Sequence, residues 1–146
     1  MSDTLHTTTG IGRLLSEVAP LTEGRITRPS SWFALDFGND TDWEVMDEPR
    51  YPGDRVFDEA VIVAFVQAEC QRRDGWDMNL YIRSGEQPRA IVFRPATGAE
   101  QADTECPITV HSDSGVILRP FEASASSLAH AALTALRDAG QDTTEG

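Results

Sequence analysis

Six acidic side chains crowd one short stretch of the chain: Asp36, Asp40, Asp42, Glu44, Asp47 and Glu48. Carboxylate oxygens are the ligands of hard cations such as Ca²⁺ and Mg²⁺, and a loop this rich in them could surround one. The spacing argues otherwise, because the alternate-residue ligands, central Gly and terminal Glu of an EF-hand loop are missing. The stretch reads as a solvated acidic segment, and no metal or cofactor is expected. His6, His111 and His130 are scattered, and Cys70 and Cys106 stand far apart with no CxxC or Cys/His pairing, so no zinc site is built either. His111, Ser112 and Asp113 are adjacent in sequence, but neighbours on a strand point to opposite faces, so adjacency does not assemble a triad. Asp36-Phe37-Gly38 repeats the metal-binding triplet of protein kinases without the HRD segment or glycine-rich loop that would give it meaning. No residue is assigned a catalytic role.

Cationic chemistry is carried by arginine alone: all 12 basic residues are Arg and none is Lys. Arg28-Pro29, Arg94-Pro95 and Arg119-Pro120 each follow a pair that opens with a β-branched residue, Ile26-Thr27, Val92-Phe93 and Ile117-Leu118. Proline cannot donate to a strand ladder, so each dipeptide reads as a strand end with an arginine at its rim. Arg83, Arg94 and Arg119 are candidates to gather on an open sheet face, either as a recess for an acidic ligand or as internal partners of the acidic stretch. Trp43 in the acidic segment and Trp76 after the Asp74-Gly75 turn are large aromatics in loops, which either pin the loop or meet a partner. Tyr81 shares the face of Arg83 by strand alternation.

Those side chains need elements to hold them. Residues 79–83 and 89–94 are rich in β-branched and aromatic residues around a Gly-Glu-Gln-Pro loop, which predicts an antiparallel hairpin at the middle of the sheet. Ile11, Leu14, Leu15 and Val18 have helical spacing and Pro20 follows, giving a short amphipathic helix. Trp32 to Phe37 reads as a strand ending at Gly38, with Trp32 in the core. Residues 38–55 read as a long acidic loop. Residues 56–71 fit a helix that is apolar nearly all round, but their β-branched density and the following Arg-Arg-Asp-Gly favour a strand. Further strands are expected at 108–111 and 116–119. Ala125, Leu128, Ala129, Ala132, Leu133 and Leu136 form the stripe of a final helix over 124–139, ended by Gly140. His130 falls on its solvent side.

The resulting expectation is an α+β fold in a single domain over residues 10–140. It has an antiparallel meander sheet of five or six strands, a short N-terminal helix and a C-terminal helix packed on one face. Residues 1–9 and 141–146 are expected to be disordered ends. At 146 residues and 40% hydrophobic content the chain can bury its own core. Cys70 falls in that core and Cys106, before Pro107, is an exposed free thiol.

Charge narrows the function. The formal net charge is -12, and residues 36–60 hold nine acids against two arginines, a net -7. Residues 61–95 hold five arginines against four acids, a net +1. No basic stripe exists to track phosphates, so nucleic acid is not the expected partner. No signal sequence and no apolar run near membrane-spanning length is present, so the chain reads as cytoplasmic and not bound to membrane. The reading is a small acidic, non-catalytic protein-interaction module of the adaptor, inhibitor, immunity, chaperone or assembly-subunit kind, not an enzyme. Its partner is another protein, basic in character, and self-association is compatible with the sequence. The interaction surface comprises Asp40, Asp42, Trp43, Asp47, Trp76, Tyr81, Arg83, Arg94 and Arg119. The alternative is a small-ligand binder or enzyme with its pocket between sheet and helix, served by Arg83, Arg94 or His111.

Overall fold

The computed structural model describes residues 10–29, 32–38, 41–46, 52–111 and 114–145, with no side-chain description for 10, 46, 52–56 and 142–145. Asp40 and Asp47 lie outside the described residues. Helix α1 (Gly10–Val18) runs into a 3₁₀ turn (Ala19–Thr22) and a short strand β1 (Ile26–Thr27). Then come β2 (Trp32–Gly38), β3 (Thr41–Met46), α2 (Pro52–Arg72), β4 (Asp77–Tyr81) and β5 (Arg89–Pro95). The short α3 (Gly98–Ala102), β6 (Thr109–Val110), β7 (Ile117–Ser124) and α4 (Leu128–Glu145) complete the chain. The α+β class stands, but the single meander does not. The strands form two antiparallel sheets, β1-β2-β3 and β4-β5-β7-β6.

Residues 56–71 belong to a helix, not a strand. Asp58, Ile62, Phe65, Val66, Glu69 and Cys70 recur at helical spacing and are buried. The apolar residues outside that stripe have a use, because α2 packs against β2 and β3, against β4, and against α4. A helix enclosed from several sides needs no polar face there, so tertiary packing overrides the β propensity of Ile62, Val63 and Val66. Phe65 meets Phe37 of β2 edge-on, with ring centroids 5.5 Å apart.

The stretch expected to be an acidic loop contains β3, paired to β2 from Trp32↔Met46 to Gly38↔Thr41. Phe33, Leu35 and Val45 are buried toward α2, whereas Trp32 lies on the opposite face and is only half-buried, not core. The β4–β5 hairpin forms as expected but at one side of its sheet: β4 is an edge strand. Pro120 does not end β7. Strand β6 pairs only with Ile117 and Leu118, so the flank beyond needs no donor from Pro120 and the strand continues.

Helix α4 lies on β5 and β7 and also contacts α1 and α2, so one apolar core joins α1, α2, α4 and both sheets. It passes through Gly140 and reaches Glu145. The glycine marks a close approach rather than a helix end, since a Cβ at this position would stand 2.7 Å from Leu21 Cδ1 and that side chain would have to shift. Gly75 does similar service where α2 turns into β4: its φ is +82°, and a Cβ would stand 2.8 Å from Pro95 Cγ.

Candidate interaction surface

Strand β3 is an edge of the first sheet, and its alternation splits the acidic segment into two chemistries. On the outer face Asp42 stands directly opposite Asp36 of β2, and Glu44 stands opposite Ala34. All three carboxylates are exposed or rim-exposed, and among the described residues none joins an ion pair. Like charges in cross-strand register repel, so this face carries a standing electrostatic cost and a strong negative field. On the other side Trp43 meets Phe57 of α2, with centroids 5.8 Å apart and ring planes tilted by 54°. The two rings stay 45% and 52% exposed, an apolar patch on the other face of the same edge strand from Asp42 and Glu44.

The arginines divide differently from expectation. Arg94 of β5 and Arg119 of β7 do come together as cross-strand partners, but on the helix-covered face with Val92 and Phe121, not on the open one. Their partner is Glu100 of α3 rather than the acidic segment. Arg94 donates from Nη1 to Oε1 at 2.9 Å and from Nη2 to Oε2 at 2.6 Å, and Arg119 Nη1 reaches Oε2 at 2.5 Å. Glu100 also closes a capping box with Thr97, accepting the Thr97 N–H and donating its own N–H to Thr97 Oγ1. The Arg94 bond, aided by those of Thr97 and Arg119, holds the carboxyl far below the usual range. Both guanidiniums lie over the Phe121 ring, 5.1 and 4.7 Å from its centroid. The recess is filled from within. Arg83 is not part of it; it stands exposed in the β4–β5 loop, in a shallow depression with Tyr81, Glu86, Gln87, Arg89, Glu122 and Ser124.

Trp76 and Tyr81 act as stacking platforms for arginines of their own chain. Arg73 covers Trp76 at 4.9 Å and Arg89 covers Tyr81 at 4.5 Å. A second internal cluster surrounds Glu69, whose side chain is fully buried. Arg25 grips it bidentately at 2.6 and 3.0 Å, and Arg72 and Arg73 add bonds of 3.1 and 3.3 Å. The Glu69 bond raises the Arg25 pKa. On a helix, Glu69 with Arg72 and Arg73 is an i, i+3, i+4 constellation, a signal hidden when the segment is read as a strand. Phe57 was hidden for the same reason.

Chemistry of other kinds finds little footing. Among the described residues no group of three or more His, Cys, Asp or Glu side chains is placed to hold a metal ion. His111 Nδ1 accepts the N–H of Ser114 in the β6–β7 turn. His130 is half-buried rather than solvent-facing, with Nδ1 2.6 Å from Ser127 Oγ, and burial lowers its pKa. That Ser/His contact is a helix cap, since Ser127 Oγ also accepts the His130 N–H at 3.1 Å. Cys70 is buried and its thiol is pushed up to about 12 by desolvation, while Cys106 is a partly exposed free thiol. Among the described residues no helix is long and apolar enough to cross a membrane. Comparison of the chain with protein-family models, with curated proteins and with solved structures finds no match among any of them.

Proposed function

We propose that the chain is a non-catalytic protein-binding module, and that it reads its partner with the β3 edge. The observation that carries this is the exposed Trp43–Phe57 pair on the same edge strand region as Asp36, Asp42 and Glu44, whose carboxylates join no ion pair among the described residues. Aromatic side chains already fixed by packing lose little entropy on binding, which makes them natural anchors at an interface. The acids at their margin select a basic partner and speed encounter without needing to be buried. Two features favour this reading over a small-ligand pocket. Arg94, one of the groups that would have served a ligand, is bound to Glu100 together with Arg119, and the depressions along β4 and the β4–β5 loop are open to solvent. The partner is a protein presenting Arg or Lys around an apolar or guanidinium group able to cover the rings.

The test is affinity capture with the full chain, followed by binding measurements on the purified partner. Trp43→Ala is expected to cost about 2 kcal/mol of binding, the range of a hot-spot anchor. Neutralising Asp36, Asp42 and Glu44 together should lower the association rate and flatten its salt dependence. A partner whose affinity ignores both changes would refute the proposal.

A further inference from the structure

We infer that the other open edge, strand β4, pairs with β4 of a second copy to join two four-stranded sheets into one. This surface is separate from the β3 edge and does not depend on the partner proposed for it. The backbone N–H of Met78 donates to the Asp77 Oδ1 at 2.8 Å. In an antiparallel strand both polar groups of a residue point the same way and alternate along the chain. Met78 and Leu80, and Ile82 just beyond the strand, therefore turn their backbone groups to the free edge.

One antiparallel register satisfies the side chains as well. With the two-fold axis at Leu80, Met78 faces the partner's Ile82, Asn79 faces the partner's Tyr81, and Asp77 faces the partner's Arg83. The Asp77–Arg83 match occurs twice, once on each side of the axis. Neither residue forms an ion pair among the described residues of the monomer. Pairing would also exchange the Asp77–Met78 contact for a ladder bond and free the carboxylate for the arginine.

Apolar matching runs along the same line. Met78 and Leu80 share a face with buried Val92 and Ala90 of β5, and Leu80 and Ile82 are 37% and 73% exposed. In the pair, the row of Met78, Leu80 and Ile82 would meet its own copy and extend the apolar face of the sheet. The charge distribution allows this here and opposes it at the β3 edge. Residues 61–95 carry a net +1 despite the overall -12, whereas two β3 strands would bring Asp42 and Glu44 against the same acids.

Sedimentation of the full chain over a concentration series tests this, with thermal melts to confirm that each variant is folded. The wild type is expected to dimerise, and Asp77→Arg or Arg83→Asp alone, each placing like charges opposite twice, should weaken the dimer about tenfold. The double swap should restore it. In a Cys106→Ser background, Leu80→Cys should form a disulfide-linked dimer on mild oxidation, because it lies on the axis, and Glu86→Cys should not. A wild type that stays monomeric to about 1 mM, a double swap no better than the singles, or equal cross-linking at both positions would overturn the inference. Failure here leaves the β3 reading untouched, since the two edges are probed by different residues.

Discussion

Arg94 and Arg119 stand opposite each other on β5 and β7, and both guanidiniums close on the same carboxylate, Glu100. Two like charges in cross-strand register would repel; the third residue turns that pair into a clamp that fastens the 96–105 excursion to the sheet. Arg94 is only 2% exposed, so its charge has no access to water if the carboxylate is removed. Glu100→Gln is therefore expected to cost about 3 kcal/mol in urea unfolding.

The same clamp sets an acid response. The folded pKa of Glu100 lies below its ordinary value of 4.5. Its contribution is thus complete above that value and is lost as pH falls through it toward the lower folded pKa. Unfolding free energy followed from pH 6 to about pH 2 should fall more steeply for the wild type than for Glu100→Gln. Parallel profiles would show that the carboxyl is not held as the geometry implies.

Glu69 offers a contrast between a central and a peripheral member of one network. Replacing Glu69 by Gln leaves three guanidiniums facing each other around a buried amide, and a loss of about 3 kcal/mol is expected. Arg72 is the most exposed of the three partners, at 31%, and Arg72→Ala should cost under about 1 kcal/mol. Chemical denaturation of the two variants side by side decides this.

At the start of α4, Ser127→Ala removes the oxygen that accepts the His130 N–H, an expected loss of about 1 kcal/mol. His130 has a folded pKa below its ordinary 6.5, because burial disfavours the imidazolium. Stability from the neutral ring is present above 6.5 and declines as pH falls toward the folded value. Titration of His130 by NMR should give a midpoint below that of a free histidine; a raised midpoint would contradict the burial.

Thiol chemistry separates the two cysteines. A thiol held near 12 in the core is protonated at neutral pH, so Cys70 should react with a thiol reagent only when the chain unfolds. Cys106 is partly exposed and should react in the native protein. Mass spectrometry after brief labelling should find one adduct, on Cys106.

Much of the architecture was legible because it is local. The stripe from Leu128 to Leu136, the spacing of Ile11 to Val18, and the two β-rich runs around Gly85 are periodic patterns, and they became α4, α1 and the β4–β5 hairpin, although α4 starts at Leu128 and not at the expected residue 124, which ends β7. Acid placement did not follow from sequence: residues 38–55 read as a loop, and only β3 puts Asp42 and Glu44 on one side of a strand and Trp43 on the other. What tertiary structure decided was which neighbours each pattern received. Helix α2 is apolar around most of its surface, and periodicity alone cannot separate such a helix from a buried strand; contact with β2, β3, β4 and α4 settles it. That choice moved Phe57 beside Trp43 and Glu69 beside Arg25, 44 residues away in sequence. Sequence singled out Arg94 and Arg119, with Arg83, as candidates for an open face, yet it could not say that Glu100, six residues from one and 19 from the other, would neutralise both. Composition fixed the charge and hydrophobic content; the pairing of each charge depended on chain segments brought together only when the core formed, because an ion pair is specified by a few ångströms of distance and not by position along the chain.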